Sequence, residues 1–445
     1  MSTTISAAAA VVDQAVSPVT LTISDGVITR VAAGTDAEAD VQLGADVVLL
    51  PGGVDTHVHL NEPGRTEWEG LATGTLAASL GGVTTVLDMP LNSVPSTTTP
   101  EALASKRDAA AGQLSTDLGY WGGAVPQNLG RLERLWDAGV FGFKCFTLPS
   151  GVDEFEPLDP QQFLAAQREI AGFGGLLIVH AEDARTIEQA PHQGSRAYAD
   201  FLASRPDEAE LAAIRQVIDG IRETGCRTHL LHLSSARALD MIAEARAEGL
   251  PLTVETCPHY LCLAAETIPD ASPQFKCCPP IRDAGNADAL WTALDEGVID
   301  MVVTDHSPAT AEQKFAGDGD LQLAWGGIAG LQVGYAAVLH HAALRGFGPE
   351  RVADWMATTT ARTAGVRNKG AIAEGFDADL ALYRPGAGME VSVVDLAHRN
   401  PISAWDGAQL SGRFEQVWLR GQLVAQGRPM APAATLAGRE ILRSH

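Results

Sequence analysis

PGGVDTHVHLNEPGRTEWEG, residues 51–70, begins as an apolar, strand-like run and ends as a polar loop rich in turn-forming residues. Side chains two positions apart on a strand point the same way, so His57 and His59 project side by side from one face. Two imidazoles in that arrangement can hold one metal ion, although an isolated His-x-His pair is as often structural. The loop that starts at Asn61 follows the strand directly, which is where an active-site loop would lie. The function of the pair therefore depends on what the rest of the chain brings to this place.

Seven further strand-like runs follow the first one, and helix-like stretches separate them. Apolar runs that alternate with helices are typical of a parallel α/β fold. Eight such strands over roughly 250 residues predict a TIM-like (β/α)8 barrel, which we expect to span residues 51–374. The predicted strands are residues 54–60, 83–88, 120–125, 142–146, 176–180, 228–233, 252–256 and 300–304.

The two ends of the chain carry short β patterns of their own. Two strand-like runs flank Asp25 and Gly26, which is a strong hairpin signal, and a third run leads into residue 51. Further strand patterns occur near the other end, at residues 378–383, 414–419 and 423–425. Neither group is large enough to be stable alone. We therefore predict a small β-sandwich domain built from both termini, residues 1–50 and 375–445.

Composition and charge exclude several classes of function. The chain has 445 residues, of which 46% are hydrophobic and 19% charged, as is usual for a folded enzyme. Its formal net charge of −24 repels phosphate backbones and anionic lipids, so we expect a small-molecule substrate and no nucleic-acid partner. Because no apolar run of about 18 residues and no good signal peptide are present, we expect a cytoplasmic protein without membrane contact. The six cysteines have no Cys-x-x-Cys spacing, so they indicate neither a disulfide framework nor a zinc finger.

A lysine interrupts the fourth predicted strand. Lys144 lies in the apolar run FGFKCF, residues 141–146, which should be buried. An unpaired ammonium is costly to bury, and burial lowers the pKa of the amine. Either Lys144 has an acidic partner or its neutral amine takes part in chemistry.

Histidine and aspartate recur at the carboxyl ends of later strands, which is where catalytic groups lie in a (β/α)8 barrel. His180 ends the fifth strand, His232 ends the sixth, and Asp305 ends the eighth, closely followed by Ser307. Any one of these would more often be a hydrogen-bonded strand end than a ligand. Together with His57, His59 and Lys144, they suit a borderline divalent metal such as Zn²⁺.

Other histidines are weaker candidates. His229 should alternate to the opposite face of its strand from His232, so we interpret it as a packing residue. His259 lies beyond the seventh strand and could line the pocket or cap the strand. His306 follows Asp305 and could orient a neighbouring carboxylate or contact substrate.

At these residues the chain resembles the cyclic amidohydrolases, a family that includes dihydroorotases, hydantoinases and allantoinases. The resemblance covers nearly the whole chain and implies a TIM-like barrel with a small β-sandwich, in agreement with the strand count. It rests on residues 55–70 together with the motifs GGVTTVLDMPLNS, GFKCF, VHAED, HLLHLSS, ETCPHYL, KCCPPIR, TDHSP and AWGGIAG.

The resemblance also implies a role for each candidate ligand. The more buried of two divalent metal ions would be held by His57, His59 and Asp305. The more exposed ion would be held by His180 and His232. Lys144 would be N6-carboxylated and bridge both ions, which would explain its burial. We expect Zn²⁺, with Co²⁺ or Mn²⁺ as alternatives, and a catalytic role for Asp305 in moving a proton from the attacking water to the leaving ring nitrogen.

The substrate prediction depends on the loop after the histidine pair. Dihydroorotases usually have an arginine where this chain has Asn61, and an amide suits a neutral hydantoin or ureido group better than a carboxylate. The loop as a whole is similar to that of allantoinases, so we predict hydrolysis of allantoin to allantoate, with Asn61 and Ser307 binding the substrate. Broad hydantoinase or dihydropyrimidinase activity, dihydroorotase activity and a non-catalytic member of the family are the alternatives. Relatives of this kind are commonly tetramers, so we expect a homotetramer.

Overall fold

Strands from both ends of the chain share one nine-stranded sheet, which we call the terminal sheet. The computed structural model describes residues 2–427, 430–433 and 436–443. The first five strands of the chain are β1 (Ser2–Val12), β2 (Ala15–Ser24), β3 (Val27–Ala33), β4 (Val41–Leu43) and β5 (Val48–Pro51). β2 and β3 form the hairpin predicted around Asp25 and Gly26. β5 is flanked on one side by β1 and on the other by a strand from residues 380–384.

The middle of the chain contributes parallel strands that alternate with helices, as predicted. These strands are β6 (Gly53–Val58), β7 (Val83–Asp88), β8 (Asp117–Tyr120), β9 (Gly122–Gly123), β10 (Phe143–Phe146), β11 (Leu176–His180), β12 (Arg227–Leu230), β13 (Leu252–Thr256) and β14 (Met301–Val302). The remaining strands are β15 (Leu380–Arg384), β16 (Met389–Glu390), β17 (Gln409–Leu410), β18 (Arg413–Leu419), β19 (Gln422–Gln426) and β20 (Ala431–Pro432). A separate β-sandwich domain with the boundaries given above stays a prediction.

Fourteen α-helices lie in the described part of the chain: α1 (Leu71–Leu80), α2 (Pro100–Ala110), α3 (Leu132–Asp137), α4 (Pro160–Gly172), α5 (Ala184–Gln189), α6 (Tyr198–Ala203), α7 (Asp207–Thr224), α8 (Leu239–Ala247), α9 (Pro258–Cys262), α10 (Ala284–Asp295), α11 (Ala311–Lys314), α12 (Gly334–Leu344), α13 (Pro349–Ala353) and α14 (Thr359–Ala364). α4 shows how local sequence sets their ends. The Asp159 carboxylate caps its first turn, Gln162 returns the bond to the Asp159 amide, and Pro160 occupies the first helical position. None of the helices in the described ranges is long and apolar enough to span a membrane.

The parallel strands form two sheets, one of β6, β7 and β8 and one of β9 to β14 in chain order. The third predicted strand is divided between β8 and β9 at Trp121, whose indole N–H donates to the Thr56 carbonyl at 2.8 Å. At the other junction, Val58 and His306 form a parallel bridge, and the His59 amide donates to the His306 carbonyl at 2.8 Å. The structure therefore has two parallel sheets that approach each other at both edges, and not one continuous closed sheet.

A buried ion network joins the parallel strands to the terminal sheet. The Lys369 ammonium lies 2.6 Å from carboxylate oxygens of both Asp117, the first residue of β8, and Asp379, which precedes β15. Arg420, in the turn between β18 and β19, also pairs with Asp117. Lys369 is 5% exposed and the carboxylates less, so removing one partner would leave a buried charge uncompensated. This network fixes the two parts of the fold against each other on the side away from the candidate site.

Candidate metal centre

The six predicted metal ligands all lie at the carboxyl ends of the parallel strands. His57 and Lys144 are within β6 and β10, and His180 is the last residue of β11. The others follow β6, β12 and β14 in the connecting loops. His232 and Asp305 adopt left-handed backbone conformations, with φ of 37° and 44°, where the chain turns out of the strand. Sequence position alone therefore placed these side chains at the correct end of the sheets.

The structure brings the six side chains into one buried cluster. His57 Nε2 lies 3.2 Å from Lys144 Nζ and 3.1 Å from Asp305 Oδ1, and His59 Nε2 lies 3.8 Å from the same carboxylate oxygen. Ligand atoms of His57, His232 and Asp305 all lie within 4.8 Å of one another. The His180 and His232 rings meet edge to face, with centroids 4.5 Å apart. Five of the six line a cavity of about 360 Å³, and His57 lies behind it.

Burial sets the protonation of this cluster. Desolvation, reinforced by the nearby Lys144 amine, holds the pKa of His57 and of His59 well below the usual range, so both rings are neutral and keep lone pairs. Burial also lowers the pKa of Lys144 to about 8, although the Asp305 carboxylate opposes the shift. The same burial raises the pKa of Asp305 to about 7, against the attraction of Lys144. The cluster thus combines neutral imidazoles, an easily deprotonated amine and a carboxylate.

These side chains fit divalent metal ions. Neutral imidazole and carboxylate are common zinc ligands, and the cluster offers four of the first and one of the second. His232 Nδ1 is buried and has no hydrogen-bond partner within the described ranges, as expected of a nitrogen that awaits a ligand.

Glu255 on β13, a carboxylate that the sequence prediction missed, contacts two residues of the cluster and a third histidine outside it. Its Oε1 lies 2.6 Å from His57 Nδ1 and accepts a bond from the His232 amide at 3.2 Å. Its Oε2 lies 3.0 Å from His229 Nε2. Since a carboxylate only accepts, the His57 Nδ1 carries the proton and its Nε2 lone pair points at the cluster. His229 is thus more than a packing residue, because it supports the carboxylate that orients His57.

Two other carboxylates orient the cluster in the same way. His180 Nε2 lies 2.8 Å from a Glu182 oxygen, which also pairs with Arg205 at 2.6 Å. Burial raises the pKa of Glu182, but Arg205 and His180 outweigh it and lower that pKa to about 2, so the carboxylate is charged and leaves His180 Nδ1 free. Asp55 caps the His57 amide at 3.1 Å and accepts bonds from the Thr304 amide and hydroxyl. The sequence signal for both was a carboxylate two residues from a candidate histidine.

The residues predicted to bind substrate occupy different environments. Ser307 lines the cavity and donates its hydroxyl to Asp305 Oδ1 at 3.1 Å. Asn61 is buried, has a φ of 62°, and is not among the cavity-lining residues. Neither polar atom of its carboxamide has a partner within the described residues. Substrate binding by Asn61 stays a prediction.

The loop that begins at Asn61 ends at a buried carboxylate, Glu69, which contacts His306 beside the cluster. Glu69 is fully buried, and its carboxylate lies 3.3 Å from His306 Nε2. It also accepts the Arg399 amide, at 3.2 Å, which ties the loop to the C-terminal region. His306 therefore contacts a carboxylate of the loop that follows the histidine pair, as its position beside Asp305 suggested. His259 is buried close to Cys257 and Asp305, and its Nε2 has no hydrogen-bond partner in the described part of the chain.

Comparison with known proteins gives consistent results. Residues 48–424 match the model of the amidohydrolase family. The chain is similar to the allantoinase of Streptomyces avermitilis, with 51% identity over 95% of both chains. It is also similar to the allantoinase of Saccharomyces cerevisiae, with 45% identity over 84% of this chain and 82% of that protein.

The fold is also similar to those of solved structures named as a hydantoinase and a dihydropyrimidinase. The L-hydantoinase (dihydropyrimidinase) of Arthrobacter aurescens superposes with a TM-score of 0.93 over 99% of each chain, at 28% identity. The dihydropyrimidinase of Brevibacillus agri superposes with a TM-score of 0.89, at 28% identity, over 100% of this chain and 99% of that one. The architecture described above is thus shared along nearly the entire length of these proteins.

Proposed function

The chain belongs to the amidohydrolase family, and from that membership we propose that it is a cyclic amide hydrolase that opens the hydantoin ring of allantoin to give allantoate. The curated relatives that it matches over most of its length are allantoinases. The observation that carries the proposal is the buried cluster of four neutral histidines, an amine of lowered pKa and a carboxylate at the edge of one cavity.

In this proposal two divalent metal ions, Zn²⁺ or alternatively Co²⁺ or Mn²⁺, are held by the cluster. His57, His59, His180, His232 and Asp305 would hold these ions, and Lys144, if N6-carboxylated, would add a further anionic ligand. Burial of Lys144 beside His57, without a carboxylate at ion-pair distance in the described residues, supports a modified side chain at this position. Such ions, when bound, supply Lewis-acid activation of water and of the scissile carbonyl.

A residue of the chain can transfer the proton that moves from the attacking water to the leaving ring nitrogen. Hydrolysis adds water across the ring C–N amide bond, so one water proton must reach the departing ring nitrogen while the carbonyl carbon becomes a carboxylate. The Asp305 carboxylate faces the cavity, so it is placed to accept a proton from the attacking water and return it to the ring nitrogen. The Ser307 hydroxyl fixes one of its oxygens. Asp305 is therefore the proposed general base and acid.

The choice of allantoin rests on the relatives and on the polar character of the site. Asn61 and Ser307 are the proposed substrate-binding residues. The Asn61 carboxamide, which has no partner among the described residues, has the donor and acceptor that a ureido or hydantoin group requires. A broad hydantoinase is the second candidate, because the chain superposes along nearly its entire length on a hydantoinase and a dihydropyrimidinase.

A substrate panel tests the proposal. The protein, loaded with Zn²⁺, Co²⁺ or Mn²⁺ in the presence of bicarbonate, is offered allantoin, hydantoin, 5-substituted hydantoins and dihydroorotate. We expect the highest kcat/KM for allantoin. A preference for simple hydantoins would replace the proposal by the second candidate, and no turnover of any ring together with no bound metal would remove both.

We also propose how the parts assemble. The two parallel sheets are taken as the arcs of one (β/α)8 barrel over residues 51–374, which the bridge between Val58 and His306 supports. Residues 1–50 and 375–445 are taken as a small β-sandwich domain. The assembly is taken as a cytoplasmic homotetramer, and light scattering should then give four times the chain mass of 46.7 kDa.

A further inference from the structure

Two buried lysines lie at one wall of the cavity, outside the metal centre: Lys276 lines the cavity, and Lys314 lies behind it. Lys314 is the last residue of α11 and Lys276 lies between α9 and α10; they are 3% and 8% exposed. Neither has a carboxylate at ion-pair distance among the described residues. Both ammonium groups are instead surrounded by main-chain carbonyls, which is an unusual way to compensate a buried charge.

Lys314 makes the denser set of bonds. Its Nζ donates to the carbonyls of Lys276 at 3.0 Å, Trp325 at 2.9 Å and Gly327 at 2.5 Å. Lys276 donates in turn to the carbonyls of Gln322 at 3.1 Å and Ala324 at 2.5 Å. The three ammonium protons of Lys314 are therefore all used, and each bond is directed at a segment that lines the cavity.

The segment that Lys314 holds is in contact with the reacting end of the cavity. Gly327 has a φ of 127°, and a Cβ at this position would come within 2.4 Å of the Ser307 carbonyl oxygen. Ser307 is the residue whose hydroxyl donates to Asp305. The backbone of residues 325–327 thus packs directly on the residue next to the proposed catalytic carboxylate. A displacement of this wall by a fraction of an ångström would change the room available to a substrate.

From this geometry we propose that Lys314 is a positioning residue, which fixes residues 325–327 as the substrate-facing wall through two ammonium–carbonyl bonds and ties that wall to Lys276 through a third. The inference rests on the proposed function. Because Lys314 does not itself line the cavity, it acts on substrate binding through its three acceptor residues, Lys276, Trp325 and Gly327, which do. Burial lowers the pKa of Lys314 to about 7, with Cys277, Lys276 and Cys278 as the nearby titratable groups, so the three carbonyl acceptors offset only part of the cost of burying this cation.

The test compares Lys314→Met with a matched control, Lys369→Met. Both substitutions remove a buried ammonium, but Lys369 lies in the ion network at the terminal sheet, away from the cavity. We expect both variants to lose thermal stability. Only Lys314→Met should raise the KM for allantoin, by about tenfold, while kcat stays within about threefold, because charge-assisted bonds to the wall are lost and the metal centre is not touched.

A second measurement does not depend on activity. Phe315 and Leu323 are exposed residues on the segment that leads into the wall, so chymotrypsin can report how firmly that segment is held. Each variant is digested at the same number of degrees below its own melting temperature, and the cleavage sites are mapped by mass spectrometry. Cleavage at Phe315 and Leu323 should be several-fold faster in Lys314→Met than in Lys369→Met. An unchanged KM in Lys314→Met, or equal cleavage in both variants, would overturn the inference. Failure of the unsubstituted protein to hydrolyse allantoin would instead refute the proposed function, and the cleavage result would still decide whether Lys314 holds the wall.

Discussion

Replacement of Glu255 should weaken metal binding, moderately in Glu255→Gln and more strongly in Glu255→Ala. The Glu255 carboxylate is 1% exposed and is shared by His57 Nδ1, His229 Nε2 and the His232 amide. Glu255→Gln retains one acceptor oxygen, which can still serve His57 and His232. Its new N–H₂ group then faces His229, whose ring can adopt the other tautomer and donate from Nδ1 to the Thr253 hydroxyl, at 2.8 Å. The geometry of His57 should therefore survive in this variant.

The magnitude follows from the change in bond type. Hydrogen bonds to a charged group contribute about 1.5–3 kcal/mol and neutral ones about 0.5–1.5 kcal/mol, so Glu255→Gln should lose roughly 1.4 kcal/mol, or about tenfold in metal affinity. Glu255→Ala leaves His57 without its partner and should lose about a hundredfold. Without that partner the Nδ1 proton of His57 is free to move to Nε2, which would remove the lone pair that faces Lys144 and Asp305.

The assay is equilibrium dialysis against a chelator of known affinity, with metal content and kcat/KM measured on the same samples. Asp300→Asn is the control, since Asp300 is also a partly buried carboxylate that pairs with a cation, Arg246, at 2.7 Å, but it precedes β14 at the opposite end of the strand from Asp305. We expect its metal content to match that of the unsubstituted protein. Full metal occupancy and full activity in Glu255→Ala would refute the reasoning that this carboxylate sets the His57 tautomer.

Other substitutions test the remaining parts of the site. Lys144→Ala should lose both metal and turnover and recover in part with a short carboxylic acid that replaces the bridging group; undiminished turnover would exclude the bridge. Asn61→Arg should lower kcat/KM for allantoin by about tenfold if the carboxamide contacts the ring, and unchanged kinetics would exclude that contact. The pH dependence of stability tests the burial of the Lys314 amine. Burial lowers the pKa of Lys314 from 10.5 to about 7, so between these two pH values the unfolded chain binds more protons than the folded protein. Stability should therefore rise with pH across this window, by at most about 1.4 kcal/mol per pH unit, and urea titrations of Lys314→Met should lack that contribution.

The cluster of six side chains was predictable because two simple rules of strand geometry determine it. The period of two along a strand puts His57 and His59 together, and the shared direction of parallel strands brings Lys144, His180 and His232 to the same end. These rules require only the position of each residue within its strand. The exact ends of the strands were less predictable, as the division of one run into β8 and β9 illustrates, because each part pairs with a different neighbouring strand.

The residues that orient the cluster were harder to identify from sequence. Glu255 lies in a buried strand as Lys144 does, so the cost of burying a charge could have pointed to it, but the two threonines of β13 make that strand look less apolar. Its partners, however, come from β6 and β12, and pairing across strands cannot be inferred from one strand alone. Lys314 gave no signal at all, because it ends a four-residue helix and its acceptors are main-chain carbonyls. Main-chain acceptors are present at every position and leave no mark in a sequence.

The pairing of β5 with β15 has a consequence for how the chain is made. Pro51 is opposite Leu380, so roughly 330 residues must leave the ribosome before β5 meets this neighbour. At about 5–20 residues per second this takes on the order of 15–65 s. During that time the fully buried Leu49 and Leu50 have an open strand edge beside them, immediately before the strand that carries His57.

Nascent chains should therefore depend on chaperones late in synthesis, even though every candidate ligand has already been translated. A chain that stops at residue 374 would contain all six of those ligands and still lack β15. Its unpaired β5 edge would make it prone to aggregate. The last seventy residues contribute no ligand, and yet they determine whether the first fifty can complete their sheet.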